Sequence, residues 1–550
     1  MNNSTATSQR WLYGPGPDLW LGCGLGYALV FVALTAFGSQ IQAVLPLAMM
    51  PILTLALSVP HYGSTLLRVY EQRSDREKYK VFSVYLTVLV WALFVAGVYS
   101  NTAGSMLITL YLMWSPWHYM GQNYGIALMF LGRRGVKING HIKRLIHLSF
   151  ITSFLLALIE MQSLPSTGNH YRVMTLELPD TVRDYAFVIT GTVYLYATVT
   201  AYGRLLKIAT VKELFPAIML TLTQALWFLV PLVAIRMNAF QDTVSLSIDT
   251  AVYAFFWIAI GHAVQYIWIT AYYARKDNRT ALTSVFLGKA LFAGAMIWVI
   301  PGLLFAPGAL GRLPYDAGFA LLIAAAVNVH HFILDGAIWK LKNGAIARIL
   351  LRDVSTEAGA GSGRSGAGLS GIRPVAGKLA FITVGLLCVG QNYYSSVATV
   401  TLNRAWEQGD ISQMSRSIRN LGWLGRDSAT YDSRLGVLMA EKGETGAAIM
   451  KGERAARLDP SQDTWGNLSV IYERAGNLGE SMLAAKQAVW LAPESGKLAD
   501  RLQYLLHRGL VQDADSRRTA LTVAGEVLET FGHDNERLSA IAAGVLERQR

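Results

Sequence analysis

Four histidines set in otherwise apolar stretches carry the chemistry that this sequence can offer. His61 lies in Ser58-Val-Pro-His-Tyr-Gly-Ser-Thr65, and His118 in Trp114-Ser-Pro-Trp-His-Tyr-Met-Gly-Gln-Asn-Tyr124. His262 lies in Gly261-His-Ala-Val-Gln-Tyr266, and His331 in Asn328-Val-His-His-Phe-Ile-Leu-Asp335. Read as helices, each places a polar partner within a turn on the same face: Ser58, Thr65 and Arg68 with His61; Ser115 and Gln122 with His118; Gln265 and Tyr266 with His262; Asn328 and Asp335 with His331. Imidazole binds Fe, Zn and Cu well, and an all-nitrogen set with few carboxylates disfavours Mg and Ca. A lone buried histidine is more simply explained by a hydrogen bond between helices. Four on separate helices, each with a group that can orient its ring, point instead to a transition-metal site.

The expected ligands are therefore His61, His118, His262 and His331. His118 and Asp335 are the candidates for chemistry at the substrate, and Gln122, Gln265, Tyr266 and Asn328 for holding what binds there. Neighbouring helical residues point ~100° apart, so His330, sharing a face with Val327, Leu334 and Ala337, is expected to pack and not to ligate. His141, His147 and His170 lack such a pattern and are expected at surfaces or interfaces.

These histidines sit in segments built to cross a bilayer. The chain of 550 residues is 53% hydrophobic and 15% charged, with a mean hydropathy of +0.33. Repeated apolar runs give a polytopic helical membrane domain of about eleven spans. They are expected near 18–37, 43–67, 81–100, 105–131, 143–161, 185–203, 213–235, 250–273, 285–306, 315–340 and 379–397. The four histidines then lie ~10–20 Å from the same end of their helices, a shared depth. The N-terminus is polar, carries one Arg and shows no clear cleavage site, so the first span is expected to be retained.

Charge separates the two sides. Counting span ends with their loops, alternate loops carry 23 Lys and Arg on one side and 4 on the other. The positive-inside rule puts the N-terminus in the cytoplasm and everything after Tyr393 outside, in the periplasm or extracellular space, for a bacterial-type plasma membrane. Residues 1–401 hold 29 basic against 16 acidic residues, and residues 402–550 hold 19 against 20. The net charge of +12 thus belongs to the membrane half, where anionic lipid is its natural partner and nucleic acid is not. Cys23 and Cys388, the only cysteines, both lie in apolar segments, which excludes a disulfide framework or a thiolate metal site.

Gly22, Gly24 and Gly26 follow no strand and are expected to be close helix-packing positions. Residues 354–377, rich in Gly, Ser and Ala, are expected to form a flexible cytoplasmic loop. From Leu402 the composition becomes that of a soluble helical domain with an internal period. Gly409, Gly443, Gly476 and Gly509 recur at 33–34 residues, and Leu458-Asp-Pro460 recurs as Leu491-Ala-Pro493. This pattern resembles the tetratricopeptide repeat, which implies an α-solenoid over 402–550 that binds a protein partner, with a spacer or dimerisation element as the simpler alternative.

The membrane part also resembles a known family. Pro60-His61, His118 with Gly121 and Asn123, and Phe256-Trp257 leading to His262 are similar to motifs of the Brp/Blh-type bacterial β-carotene dioxygenases. The resemblance spans about 50–270 and implies that His61, His118 and His262 hold iron for the oxidation of a lipid-soluble substrate with O2. Where that family has a further histidine this chain has Tyr266, and where it has an arginine this chain has Gln265; His331 is the expected replacement ligand. Two other classes compete: a membrane acyltransferase with His118 as a single general base, and a non-catalytic envelope scaffold or transporter.

Overall fold

The computed structural model describes residues 10–44, 50–164, 166, 170–237, 248–277, 282–339, 344–352 and 372–548. These residues are helical, with no strand among them. The helices are α1 (Leu25–Val44), α2 (Val59–Tyr70), α3 (Thr87–Tyr99), α4 (Asn101–Arg133), α5 (Gly140–Ser163), α6 (Asp180–Leu205), α7 (Val211–Met237), α8 (Ile248–Lys276), α9 (Thr283–Leu304), α10 (Ala320–Ile338), α11 (Gly344–Arg352) and α12 (Ile372–Gln408). Eight more follow: α13 (Ile411–Trp423), α14 (Ala429–Glu441), α15 (Thr445–Leu458), α16 (Gln462–Arg474), α17 (Leu478–Leu491), α18 (Gly496–Gln512), α19 (Ala514–Phe531) and α20 (Glu536–Glu547). Two compact units emerge: Met1–Pro301 with Leu321–Ser396, and Gly302–Ala320 with Val397–Arg550.

Six helices among the described residues are long and apolar enough to cross a membrane, or seven if the bent pair Pro15–Gly22 and Leu25–Ala33 is one span. Helices α4, α7 and α8 run for 33, 27 and 29 residues, beyond the ~20 that a bilayer needs. In α4 the apolar character is diluted by the serines, His118, Gln122 and Asn123. Large apolar side chains on α6, among them Val188, Ile189, Leu195 and Val199, are 62–70% exposed, an exterior suited to hydrocarbon.

Two expected spans are broken. The first bends by 54° between a π-turn (Asp18–Gly22) and α1. Gly24 adopts φ +82°, a conformation side chains rarely take, and a Cβ on Gly22 would strike the Trp268 ring at 2.6 Å. These glycines therefore serve both a sharp turn and close packing. The expected 43–67 span contains a π-turn, Thr54–Ser58, directly before α2, and its residues 45–49 lie outside the described set. Pro60 stands in the first turn of α2, where a missing N–H costs nothing. Of the expected loop 354–377, residues up to 371 lie outside the described set, while α12 already begins at Ile372, which moves that boundary.

The second unit is a stack of short helices in which each packs on the next, and α14 on α16 and α17 on α19 as well. Gly443 and Gly476, both at φ +83°, turn the chain from α14 to α15 and from α16 to α17, and Gly409 (φ +66°) turns it into α13. The fourth glycine does otherwise. Gly509 lies buried inside α18, where a Cβ would meet Met482 Sδ at 2.9 Å, so it is a packing position and not a turn. Asp316, from the short segment 302–320, accepts from Ser428 Oγ at 2.6 Å and from Thr430 N at 3.2 Å, satisfying free donors at the start of α14.

Candidate metal centre

The four expected histidines meet. His61 (α2), His118 (α4), His262 (α8) and His331 (α10) each offer a ring nitrogen, and all four nitrogens lie within 4.8 Å of one another. The rings form a closed circuit: His61 to His331 at 4.2 Å between centroids, then His331 to His118, His118 to His262 and His262 to His61 at 4.9 Å each. Successive planes are tilted by 70–84°, so edges and lone pairs turn toward a common centre. Phe332 stacks on His118 at 4.5 Å and Tyr119 lies over His262 at 4.2 Å, which fixes both rings.

The hydrogen bonding fits a metal. Neither ring nitrogen of His61 or of His262 has a hydrogen-bond partner among the described residues, although both side chains are buried. An unsatisfied buried polar group costs ~1–3 kcal/mol, and an imidazole must expose at least one lone pair, so an ion at the centre is the natural partner. Four neutral nitrogen donors suit Fe, Zn or Cu. The cluster can hold a metal ion.

A chain of hydrogen bonds assigns the tautomer of His331. Tyr266 Oη donates to Asp335 Oδ1 at 2.5 Å. Trp339 Nε1 donates to the same Tyr266 oxygen at 2.9 Å, and Thr65 Oγ1 stands 2.6 Å from it. With the Tyr266 proton already committed, Thr65 donates to Tyr266. The contact of 3.0 Å between Thr65 Oγ1 and His331 Nδ1 must then be donated by the imidazole. His331 is thus protonated on Nδ1 and presents the Nε2 lone pair, which lies 3.2 Å from His118 Nε2. The expected direct contact from Asp335 to His331 is replaced by this relay through Tyr266 and Thr65. Asp335 instead has its Oδ2 3.9 Å from His118 Nε2.

The remaining expected residues divide. Asn328 accepts from Tyr62 Oη at 3.0 Å and donates to the Ala324 carbonyl, and the Tyr62 ring lies 4.6 Å from His61. Gln122 donates to the His262 carbonyl at 3.2 Å and to Gln265 Oε1. Gln265 donates to the Gly22 carbonyl and to Asn123, Asn123 to Gln224, and Gln224 to Ser153. This amide ladder ties α4, α8, α7 and α5 together behind the histidines. Gln265 and Gln122 therefore brace the helices that carry His262 and His118. His330 turns away from the cluster, its Nε2 3.0 Å from Thr87 Oγ1. His141 is exposed, His147 packs on Tyr124 at 4.7 Å, and His170 packs on Tyr171.

Sequence reasoning passed over Tyr62, Trp339, Gln224 and Ser153, since each acts through a partner remote in the chain. Beside His118 a cavity of about 320 Å³ opens, walled by Trp114, Trp117, Phe332, Asp335 and Trp339 and capped by Ile346 and Leu350. No protein-family model, curated protein or solved structure matches this chain.

Proposed function

We propose that this chain is an integral membrane oxygenase or oxidase in which His61, His118, His262 and His331 hold iron and a lipid-soluble substrate is oxidised beside them. The observation that carries the reading is the buried circuit of four imidazoles, two of them without any other hydrogen-bond partner among the described residues, next to an aromatic-walled cavity. The resemblance to the Brp/Blh-type dioxygenases agrees with the roles of His61, His118 and His262, and His331 takes the fourth place while Tyr266 becomes the hydroxyl that connects it to Asp335. Iron bound there would supply the binding and activation of O2. The chain's own residues orient the four rings, hold the proton on His331 Nδ1, and line the cavity with groups that exclude water. A single-histidine acyltransferase would use His118 and Asp335 alone and leave His262 without a role.

Iron-loaded protein in lipid nanodiscs, given a total lipid extract of its native membrane, is expected to consume O2. His262→Ala is expected to abolish that uptake by at least ~100-fold. Full uptake by the metal-free protein or by His262→Ala would contradict the oxygenase reading.

The same proposal places about eleven spans in the membrane, the N-terminus in the cytoplasm and 402–550 outside as a tetratricopeptide-type domain that binds a protein partner. It is supported by the 23-to-4 asymmetry of loop charge and by the 33-residue recurrence of turn glycines Gly443 and Gly476. A reporter that is active only in the cytoplasm, fused after Arg550, is expected to be silent. A bright signal would mean that the number of spans is wrong by an odd number.

A further inference from the structure

The cavity beside His118 has a shape and one polar feature that together define a ligand. Its floor includes Gly121 and Gly125 on α4 and Gly336 on α10, and a Cβ at any of the three would meet nothing within 4 Å. That separates them from Gly63, where the same atom would strike a backbone carbonyl at 1.8 Å. The space above these glycines is open. Trp117, at the cavity wall, is 45% exposed and sits near the middle of the 33-residue α4. Its neighbour α10, whose Phe332 packs on Tyr111 and His118, is apolar enough to cross a membrane, and beside it the middle of α4 lies at the depth of hydrocarbon. What enters is therefore dissolved in the membrane and mostly apolar.

The cavity wall carries one carboxyl group. Asp335 is only 8% exposed; its Oδ1 accepts from Tyr266 at 2.5 Å, and its Oδ2 stands 3.9 Å from His118 Nε2. A carboxyl group has more hydrogen-bonding positions than the Tyr266 hydroxyl fills. A pure hydrocarbon in the cavity would strip water from this carboxyl group and return nothing. An ionised fatty acid would have to shed its hydration among the apolar walls. An alkylammonium would pay the same desolvation. An alcohol donates one hydrogen bond and carries no charge.

We propose that the cavity binds a membrane-dissolved long-chain or polycyclic alcohol, its hydroxyl donating to Asp335 Oδ2 and its apolar body lying over Gly121 and Gly125. The hydroxyl-bearing end then lies against the histidine cluster. Oxidation of that end rests on the oxygenase reading above; the binding itself does not.

The test uses the full chain in nanodiscs and a long-chain alcohol carrying a photoactivatable diazirine, with the labelled peptides mapped by mass spectrometry. Labelling is expected to concentrate in segments 114–129 and 332–339. Hexadecanol is expected to compete at least ~10-fold better than hexadecane or hexadecanoic acid, the discrimination that one matched buried hydrogen bond gives. Gly125→Leu is expected to remove the labelling while metal content stays at the wild-type level, and Asp335→Asn to reduce the preference for alcohol over alkane at least ~3-fold. Labelling spread over all lipid-facing helices, or equal competition by alcohol, alkane and acid, overturns the proposal. Specific labelling of a protein that never binds metal supports it and removes the oxygenase reading alone.

Discussion

His331→Ala is expected to empty the metal centre, and His330→Ala to leave it filled. The two residues are adjacent, yet their rings go opposite ways: His331 Nε2 faces His118 Nε2 at 3.2 Å, and His330 Nε2 meets Thr87 at 3.0 Å. Removing His331 takes one of four nitrogen donors and leaves Thr65 with Tyr266 alone as its side-chain partner. Metal per chain should fall from about one to below ~0.1, since three imidazoles without the fourth lose most of the affinity. Removing His330 deletes a hydrogen bond and some packing against Trp91, worth ~1–3 kcal/mol of stability, with the ligand set untouched. Asp335→Asn and Tyr266→Phe should lie between, each weakening metal affinity ~10–100-fold, because both interrupt the relay that keeps the proton on His331 Nδ1. The comparison is metal stoichiometry and affinity at equal folded yield. Loss of metal in His330→Ala with retention in His331→Ala would mean that the wrong face of α10 has been assigned to the site.

Gly63→Ala is expected to be the most damaging single methyl in the membrane unit. A Cβ there would lie 1.8 Å from the Ala290 carbonyl oxygen and 2.7 Å from Gly294 N. Across the contact, a Cβ on Gly294 would lie 2.0 Å from the Val59 carbonyl oxygen. Helices α2 and α9 thus touch backbone to backbone, and neither side can yield by rotating a side chain. Relief requires the helices to part, and His61 sits two residues from Gly63, so the ligand moves with the strain. Overpacking of this kind costs ~2–5 kcal/mol, which should lower the thermal midpoint in detergent and also reduce metal content. Gly121→Ala is the matched control: its Cβ meets open space, and replacing a mid-helix glycine should leave stability equal or raise it by ~0.5–1 kcal/mol. Equal midpoints and metal contents for Gly63→Ala and wild type would contradict the close approach of α2 and α9.

Helical phase singled out the four clustered histidines from the sequence alone. His331 with Asp335, and His61 with Thr65, share faces because residues three and four apart do, and the ~100° step set His330 aside from His331. What phase cannot give is the partner on another helix. Tyr266 reads in sequence as a residue near His262, yet its hydroxyl bridges Thr65, 201 positions away, and Asp335, 69 positions away. The ladder from Gln265 through Asn123 to Gln224 and Ser153 likewise joins four helices whose order of packing no local pattern states. Periodicity also misled at Gly509, because a glycine at the right spacing serves close packing as readily as a turn. Breaks such as the one at Gly24 depend on φ, which an apolar run does not reveal.

Elemental analysis of the purified full-length protein, with metal per folded chain measured for wild type and for His61→Ala, tests the central claim most directly. The account predicts about one iron per wild-type chain and less than ~0.1 in the variant, because the nitrogens of His61 have no other partner among the described residues. A folded wild-type protein that takes up no transition metal, even when iron, zinc and copper are each supplied, would contradict it.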